Sequence, residues 1–220
     1  MTTKKRIVIG ISGASGAPIA VELIKALRNN PEIETHLIIS DIGKLIIRQE
    51  TVLSVKEVED LADVVYNNQN IGASIASGTF KTDGMVIVPC SMKTLAAINC
   101  GYSDNLLHRV ADVTIKEHRK LVLVPRECPL SPIHLKNLYD LSQIGVYILP
   151  PVISYYTAPA TIGEITRQIV GKILDTSNYR KLTPVMKKGN KLIAHIVVVL
   201  TLIIIIALIM PLRGALSRND

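Results

Sequence analysis

Tryptophan is absent from this chain of 220 residues, phenylalanine occurs once, and aromatic residues make up only 4%. So few flat side chains cannot build a platform for stacked bases, which excludes nucleic-acid binding of that kind. Cysteine is scarce as well. Cys90, Cys100 and Cys128 are odd in number and show no C-x-x-C spacing, so neither a disulfide framework nor a dithiol redox pair is readable. The histidines His36, His108, His118, His134 and His195 are scattered without the spacing a zinc site needs, and no metal is expected. No secretory leader precedes the first strand-like run, so the reading expects a reducing, cytosolic setting.

A charge surplus is missing from most of the chain too. The formal net charge is +7, yet residues 1–171 hold 17 Lys and Arg against 16 Asp and Glu, whereas residues 172–220 hold 8 against 2. The main body therefore lacks the basic face of a nucleic-acid binder. Hydrophobic residues reach 48%, with a mean hydropathy of +0.34, and much of that excess sits in the last thirty residues.

What the chain has is a repeated alternation of apolar runs and helical patterns. Ile7, Val8, Ile9 and Ile11 read as a buried parallel strand. Gly10, Gly13 and Gly16, with Ser12 and Ser15, form a tight turn. Ile19, Leu23, Ile24 and Leu27 then mark a helix from Ala17 to Leu27 that packs back on the sheet. A glycine turn opening a helix offers backbone N–H groups to a phosphate. The spacing is not G-x-G-x-x-G, because Ser12 stands at the second glycine position. The second strand, Thr35 to Ile39, ends in Ser40 rather than in a carboxylate. Both departures lean toward a mononucleotide over a dinucleotide.

Further along, helices are expected over 42–50 and 53–65, the latter opened by a capping-box pattern of Ser54 and Glu57, followed by a polar loop over 66–82. Gly84 to Cys90, Lys120 to Pro125 and Val146 to Leu149 read as strands. Ser91 to Leu95, Asn105 to Lys116, Ser131 to Gln143 and Ile162 to Leu174 read as helices. Five strands alternating with helices indicate an α/β fold: a doubly wound, Rossmann-like or flavodoxin-like parallel sheet in three layers, α/β/α. Ligands in such a sheet sit beyond the carboxyl ends of the strands. Those ends carry Gly13-Ala14-Ser15, Ser40, Ser91-Met92-Lys93-Thr94, Arg126-Glu127 and Tyr155-Tyr156. Hydroxyls, cations, a carboxylate and exposed amides suit a phosphorylated, partly aromatic ligand. Cys90 and Cys128 read as packing or bystander thiols rather than nucleophiles, and His134 as a satisfied helix residue.

With these residues in view, the chain resembles the flavin prenyltransferase family of the UbiX type, nearest the small partner subunits of phenolic-acid and hydroxybenzoate decarboxylases. The likeness rests on Gly10-Ile-Ser-Gly-Ala-Ser-Gly16, Ala76-Ser-Gly-Thr-Phe-Lys-Thr-Asp-Gly-Met85, Pro89-Cys-Ser-Met-Lys-Thr-Leu95, Arg109-Val-Ala-Asp-Val113, Leu121-Val-Leu-Val-Pro-Arg-Glu127 and Pro129-Leu-Ser-Pro-Ile-His-Leu135. It spans about residues 5 to 175. The resemblance implies an enzyme that moves a dimethylallyl group from dimethylallyl monophosphate to N5 and C6 of reduced FMN, making prenylated FMN for a UbiD-type decarboxylase without a metal. It implies FMN contacts from Gly13, Ala14, Ser15, Ser40, Ser91, Met92, Lys93, Thr94 and Arg126. Tyr156 and Lys172 would hold the donor phosphate, with Lys116 and Arg109 adding charge. Glu50 and Glu127 would lie near the reacting flavin edge, with Ser15 as proton relay. It also implies a closed homo-oligomer, a dodecamer, with flavin at subunit contacts.

Lys172 stands where the family often has Arg, and Tyr155-Tyr156-Thr-Ala-Pro159 replaces Phe-Tyr-x-x-Pro. Two alternatives stay open: an FMN-dependent cysteine decarboxylase of the same fold, and a non-catalytic FMN-binding decarboxylase subunit. The former typically shows a Pro-Ala-Ser-Ala-Asn motif where this chain has Pro89-Cys-Ser-Met-Lys-Thr94. An NAD module lacks both the second glycine and the strand-tip carboxylate.

The sequence divides into a flavin-binding domain, 1–178, and a basic linker with a hydrophobic tail, 179–220. Leu192 to Met210 is apolar apart from His195 and Thr201. As a helix it would span about 28 Å, close to the roughly 30 Å hydrocarbon core of a bilayer. Lys187, Lys188 and Lys191 precede it, so a C-terminal hydrophobic helix anchoring a cytoplasmic enzyme domain is expected, with oligomer packing as the alternative.

Overall fold

A glycine turn at the sheet's centre sets the architecture. β1 (Lys5–Ile11) runs into it and α1 (Ala17–Arg28) leaves it. The structure, a computed structural model, describes residues 4–177 and Tyr179; the hydrophobic stretch 192–210 lies outside them. The remaining elements are β2 (Ile33–Ile39), α2 (Asp41–Glu50), α3 (Val55–Glu59), β3 (Val64–Asn67), β4 (Gly84–Cys90), α4 (Met92–Asn99), α5 (Leu106–Lys116), β5 (Lys120–Pro125), α6 (Pro132–Gln143), β6 (Tyr147–Ile148) and α7 (Ile162–Thr176).

The six strands are all parallel and lie in the order β3-β2-β1-β4-β5-β6. The order reverses between β1 and β4, so a crevice opens there beyond the strand tips. Successive strand residues point to opposite faces. Ile7, Ile9, Ile11, Val86 and Val122 therefore pack against α1 and α7 on one side. Val8, Met85, Ile87, Leu121 and Leu123 pack against α4, α5 and α6 on the other. This is the expected three-layer α/β/α arrangement.

Two local expectations are corrected. The helix expected over 53–65 is only α3, and 64–67 is instead the edge strand β3, making six strands rather than five. The capping box of Ser54 and Glu57 starts the helix as expected. Asp63 ends any continuation, because its carboxylate accepts from Thr35 N–H at 2.7 Å and from the Thr35 hydroxyl at 2.8 Å. That clamp delivers Val64 opposite His36, and β3 pairs from there. Residues 66–82 are not wholly irregular either, since Ser74–Ala76 forms a 3₁₀ turn whose Ile75 is buried. Among the described residues no helix is long and apolar enough to cross a membrane.

Candidate active site

The tips of β1 and β4 are tied together by one buried hydroxyl. Ser12, 1% exposed, donates from Oγ to the Pro89 carbonyl at 2.9 Å and accepts from Ser91 N–H at 2.8 Å. Its own N–H also reaches the Pro89 carbonyl, at 3.2 Å. Sequence reading took Ser12 for a turn residue standing where a glycine would complete a dinucleotide motif. Only the sheet order reveals it as the link across the switch point.

Around this link the predicted residues converge. Gly13 has no room for a Cβ, which would come within 2.5 Å of the Ile42 side chain; the turn and α2 are therefore in tight contact. Ser40 caps α2 and accepts from Gly43 N–H at 3.0 Å. Ser91 caps α4, accepts from Thr94 N–H at 3.2 Å, and donates its hydroxyl proton to Thr94 Oγ1 at 3.1 Å. Each cap stabilises its helix by about 1 kcal/mol and aims the helix's positive end at the crevice. Met92 is half-buried and Lys93 exposed in the first turn of α4, and Arg126 and Glu127 are exposed just past the tip of β5. Arg126 N–H is held by the Cys90 carbonyl at 3.3 Å, and the Glu127 carboxylate by Cys128 N–H at 3.0 Å.

Glu50 is engaged by its own chain. Its carboxylate accepts from the backbone N–H groups of Gly16 and Ala17 at 2.8 and 3.0 Å. The N-terminus of α1 is thus already engaged by an anion of the chain itself. Glu50 stands beside Ser15, while Gly16 adopts a φ of 125° that favours glycine.

Lys116 and Lys172 are not brought to the strand tips of their own chain. Lys116 ends α5 four residues before β5 begins, at the end of the strands opposite their tips. It pairs there with Glu117 at 2.8 Å, which holds the Glu117 carboxyl below the usual range. Arg109, two turns earlier, pairs with Asp112 at 2.7 Å. α7 runs away from the tips, and its Thr176 carbonyl accepts from Lys120 Nζ near the start of β5. Lys172, ten residues into that helix, lies roughly 15 Å along its axis. Tyr156 is 90% exposed in the 3₁₀ turn Tyr155–Thr157.

Sequence reading also missed a buried polar chain behind α4. His108, 4% exposed, has Nδ1 2.7 Å from the Asp104 carboxylate and Nε2 3.5 Å from Thr94 Oγ1. The i, i+4 spacing of Asp104 and His108 was its one signal. The Cys90 thiol lies wholly buried, and burial pushes its pKa up, away from nucleophile behaviour. Among the described residues no cluster of His, Cys, Asp and Glu could hold a metal.

A family profile described as Flavoprotein matches residues 1–177. A relative named as a probable UbiX-like flavin prenyltransferase, from Sedimentibacter hydroxybenzoicus, is 54% identical over 169 residues, covering 77% of this chain and 89% of its own length. The chain belongs to the UbiX-like flavin prenyltransferases, within the flavoprotein family. Solved structures agree with that membership. AnUbiX, in a complex with FMN and dimethylallyl pyrophosphate, is 44% identical, covers 80% of this chain and 93% of its own, and superposes with a TM-score of 0.78. A dodecameric FMN-dependent UbiX-like decarboxylase from Escherichia coli O157:H7 is 46% identical, with 83% and 98% coverage and a TM-score of 0.81.

Proposed function

We propose that this UbiX-like chain transfers a dimethylallyl group from dimethylallyl monophosphate to reduced FMN and releases prenylated FMN to a UbiD-type aromatic-acid decarboxylase. The observation that carries the reading is that the backbones of Ser40, Ser91 and Arg126 are tied to the tips of β1 and β4 beside the crevice, in a chain 44% identical to a protein crystallised with FMN and a dimethylallyl donor. The donor set fits FMN. Two serine-capped helix ends, Lys93 and Arg126 suit its phosphate and hydroxyls, and half-buried Met92 offers an apolar wall.

When bound, reduced FMN supplies the nucleophilic N5 and C6 positions. The chain's task is then to hold the donor, stabilise its leaving phosphate and move one proton. Lys116, Arg109 and Lys172 supply positive charge for the phosphate, and the Tyr156 hydroxyl donates to it. Lys172 does so without the bidentate grip of an arginine. Glu127 accepts the proton that must leave when the second ring bond forms, with Ser15 relaying it and Glu50 fixing the Ser15 turn. Because Lys116 and Lys172 lie away from the tips of their own chain, the reading takes them from neighbouring copies in a homo-oligomer. The dodecameric relative supports this. A cysteine decarboxylase is disfavoured by Lys93 in place of that family's asparagine. The tail 192–210 reads from its composition as an anchor keeping the enzyme domain at the cytoplasmic face, which membrane fractionation of the full chain tests.

The deciding experiment is anaerobic incubation of the full chain with reduced FMN and either the monophosphate or the pyrophosphate donor, with the flavin weighed by mass spectrometry. The expected product is heavier by one C5 unit and is lost in Glu127→Gln and in Lys116→Ala. Co-assembly of these two inactive variants should restore part of the activity. Flavin bound and recovered at unchanged mass would leave a flavin-binding subunit instead.

A further inference from the structure

We propose that His108 is a positioning residue for the turn at the tip of β4: held by Asp104, its bare Nε2 takes the Thr94 hydroxyl proton, Thr94 takes that of Ser91, and Ser91 offers the ligand only oxygen lone pairs. The inference rests on the reading that this turn binds FMN and goes beyond it, because it fixes which chemistry Ser91 recognises. The ligand atom facing Ser91 is a hydrogen-bond donor, a ribityl hydroxyl or a ring N–H, and not a phosphate oxygen.

The direction of the chain follows from its buried end. The Asp104 Oδ1 to His108 Nδ1 distance is 2.7 Å. A lone pair on Nδ1 would face a carboxylate oxygen at that distance, so Nδ1 must carry a proton. The Asn105 Oδ1 accepts from His108 N–H at 3.0 Å, so its Nδ2 is the side turned to the ring; that nitrogen lies 3.1 Å from His108 Nδ1 but closer, at 2.8 Å, to the same Asp104 oxygen, to which it donates. Burial lowers the His108 pKa, opposed by Asp104 and aided by the charge of Lys93, so the ring carries one proton. With that proton on Nδ1, Nε2 has only a lone pair to offer.

The nearest proton for Nε2 is on Thr94 Oγ1, at 3.5 Å, from a side chain only 5% exposed. Thr94 Oγ1 in turn accepts from Ser91 at 3.1 Å. The Ser91 proton is thereby spent inward, and its oxygen, which already accepts from Thr94 N–H, keeps a lone pair toward the crevice. A serine whose hydroxyl could rotate freely would serve donor and acceptor ligands alike. This one cannot rotate without leaving Thr94 and His108 unpaired in the interior, where an unmade hydrogen bond is costly.

Nitrogen-15 NMR of the histidine rings in the full chain without flavin reads the tautomer and needs no variant: the proton should be on the His108 Nδ1, with Nε2 bare. Titration with FMN, and with riboflavin as a phosphate-free probe, reads the consequence. His108→Leu and Thr94→Val should each weaken both flavins about tenfold, the effect of one ordinary hydrogen bond. The double variant should lose no more than either single one. His108→Gln, whose amide carbonyl can take the Thr94 proton, should recover most of the affinity. A proton on Nε2, additive losses, or a loss confined to FMN would each overturn the inference. A wild type that binds FMN but never prenylates it sinks the proposed function and leaves this inference standing. Prenylation by wild type together with unimpaired flavin binding by His108→Leu does the reverse, and a chain that takes up no flavin overturns both.

Discussion

Glu50 closes the helix that follows the glycine turn, its carboxylate accepting from Gly16 N–H at 2.8 Å while also holding Ala17 N–H. A charge-assisted pair at a helix N-terminus is worth more than a neutral cap. Glu50→Gln keeps one acceptor and should cost about 1 kcal/mol, and Glu50→Ala about 2 kcal/mol. Urea unfolding followed by circular dichroism checks both; an unchanged midpoint in Glu50→Ala would show that the cap contributes nothing.

Ser12 should be the more sensitive position, since Ser12→Ala strands Ser91 N–H and weakens the hold on the Pro89 carbonyl. The expected loss is on the order of 1–3 kcal/mol. It should be accompanied by weaker flavin binding, because the two turns lining the crevice are no longer tied. Ser12→Thr keeps the hydroxyl and should fall between the two if its extra methyl fits. Equal stability of Ser12→Ala and wild type would refute the link.

The cysteines should divide two to one. Cys90 is buried with its thiol pKa pushed up by burial, while Cys100 and Cys128 are exposed. A thiol reagent at neutral pH should label two sites in the native chain and all three once it is unfolded. Rapid native labelling of Cys90, located by peptide mapping, would contradict the packing.

Acid should weaken the fold through His36. This ring is 2% exposed, with Nδ1 3.0 Å from the Tyr66 hydroxyl and Nε2 2.8 Å from the Glu34 carboxylate. Burial lowers its pKa and outweighs the opposite pull of Glu34; Arg6 lowers it slightly and Asp63 raises it. A histidine lowered in the folded state stays neutral while the unfolded chain takes up a proton. Its stabilisation is therefore complete above the unfolded value of about 6.5 and is lost as pH falls below it. The urea midpoint should drop between pH 7.5 and 5.5, and the drop should be smaller in His36→Gln. The same slope in both would assign the loss to other groups.

Much of the fold was legible because its signals are local. Buried parallel strands such as Ile7 to Ile11 announce themselves as continuous apolar runs, and Ser40, Ser91 and Ser131 announce helix starts through short-range hydrogen bonds to the backbone. β3 was not legible. Val64 to Asn67 is half-exposed at the sheet edge, and its strand character depends on Asp63 gripping Thr35, 28 residues away.

The same division runs through the site. Sequence alone determined that hydroxyls, cations and glycines follow the strands, because a residue's place at a strand tip follows from its place in the chain. Only the tertiary structure decided that Ser12 joins β1 to β4, that Glu50 closes α1 and that His108 reaches Thr94 behind Ser91. Only it placed Lys116 and Lys172 toward the end of the sheet opposite the tips. Those relations are set by strand order and helix direction, and contacts across 14 to 79 positions of sequence leave no periodic trace in the chain.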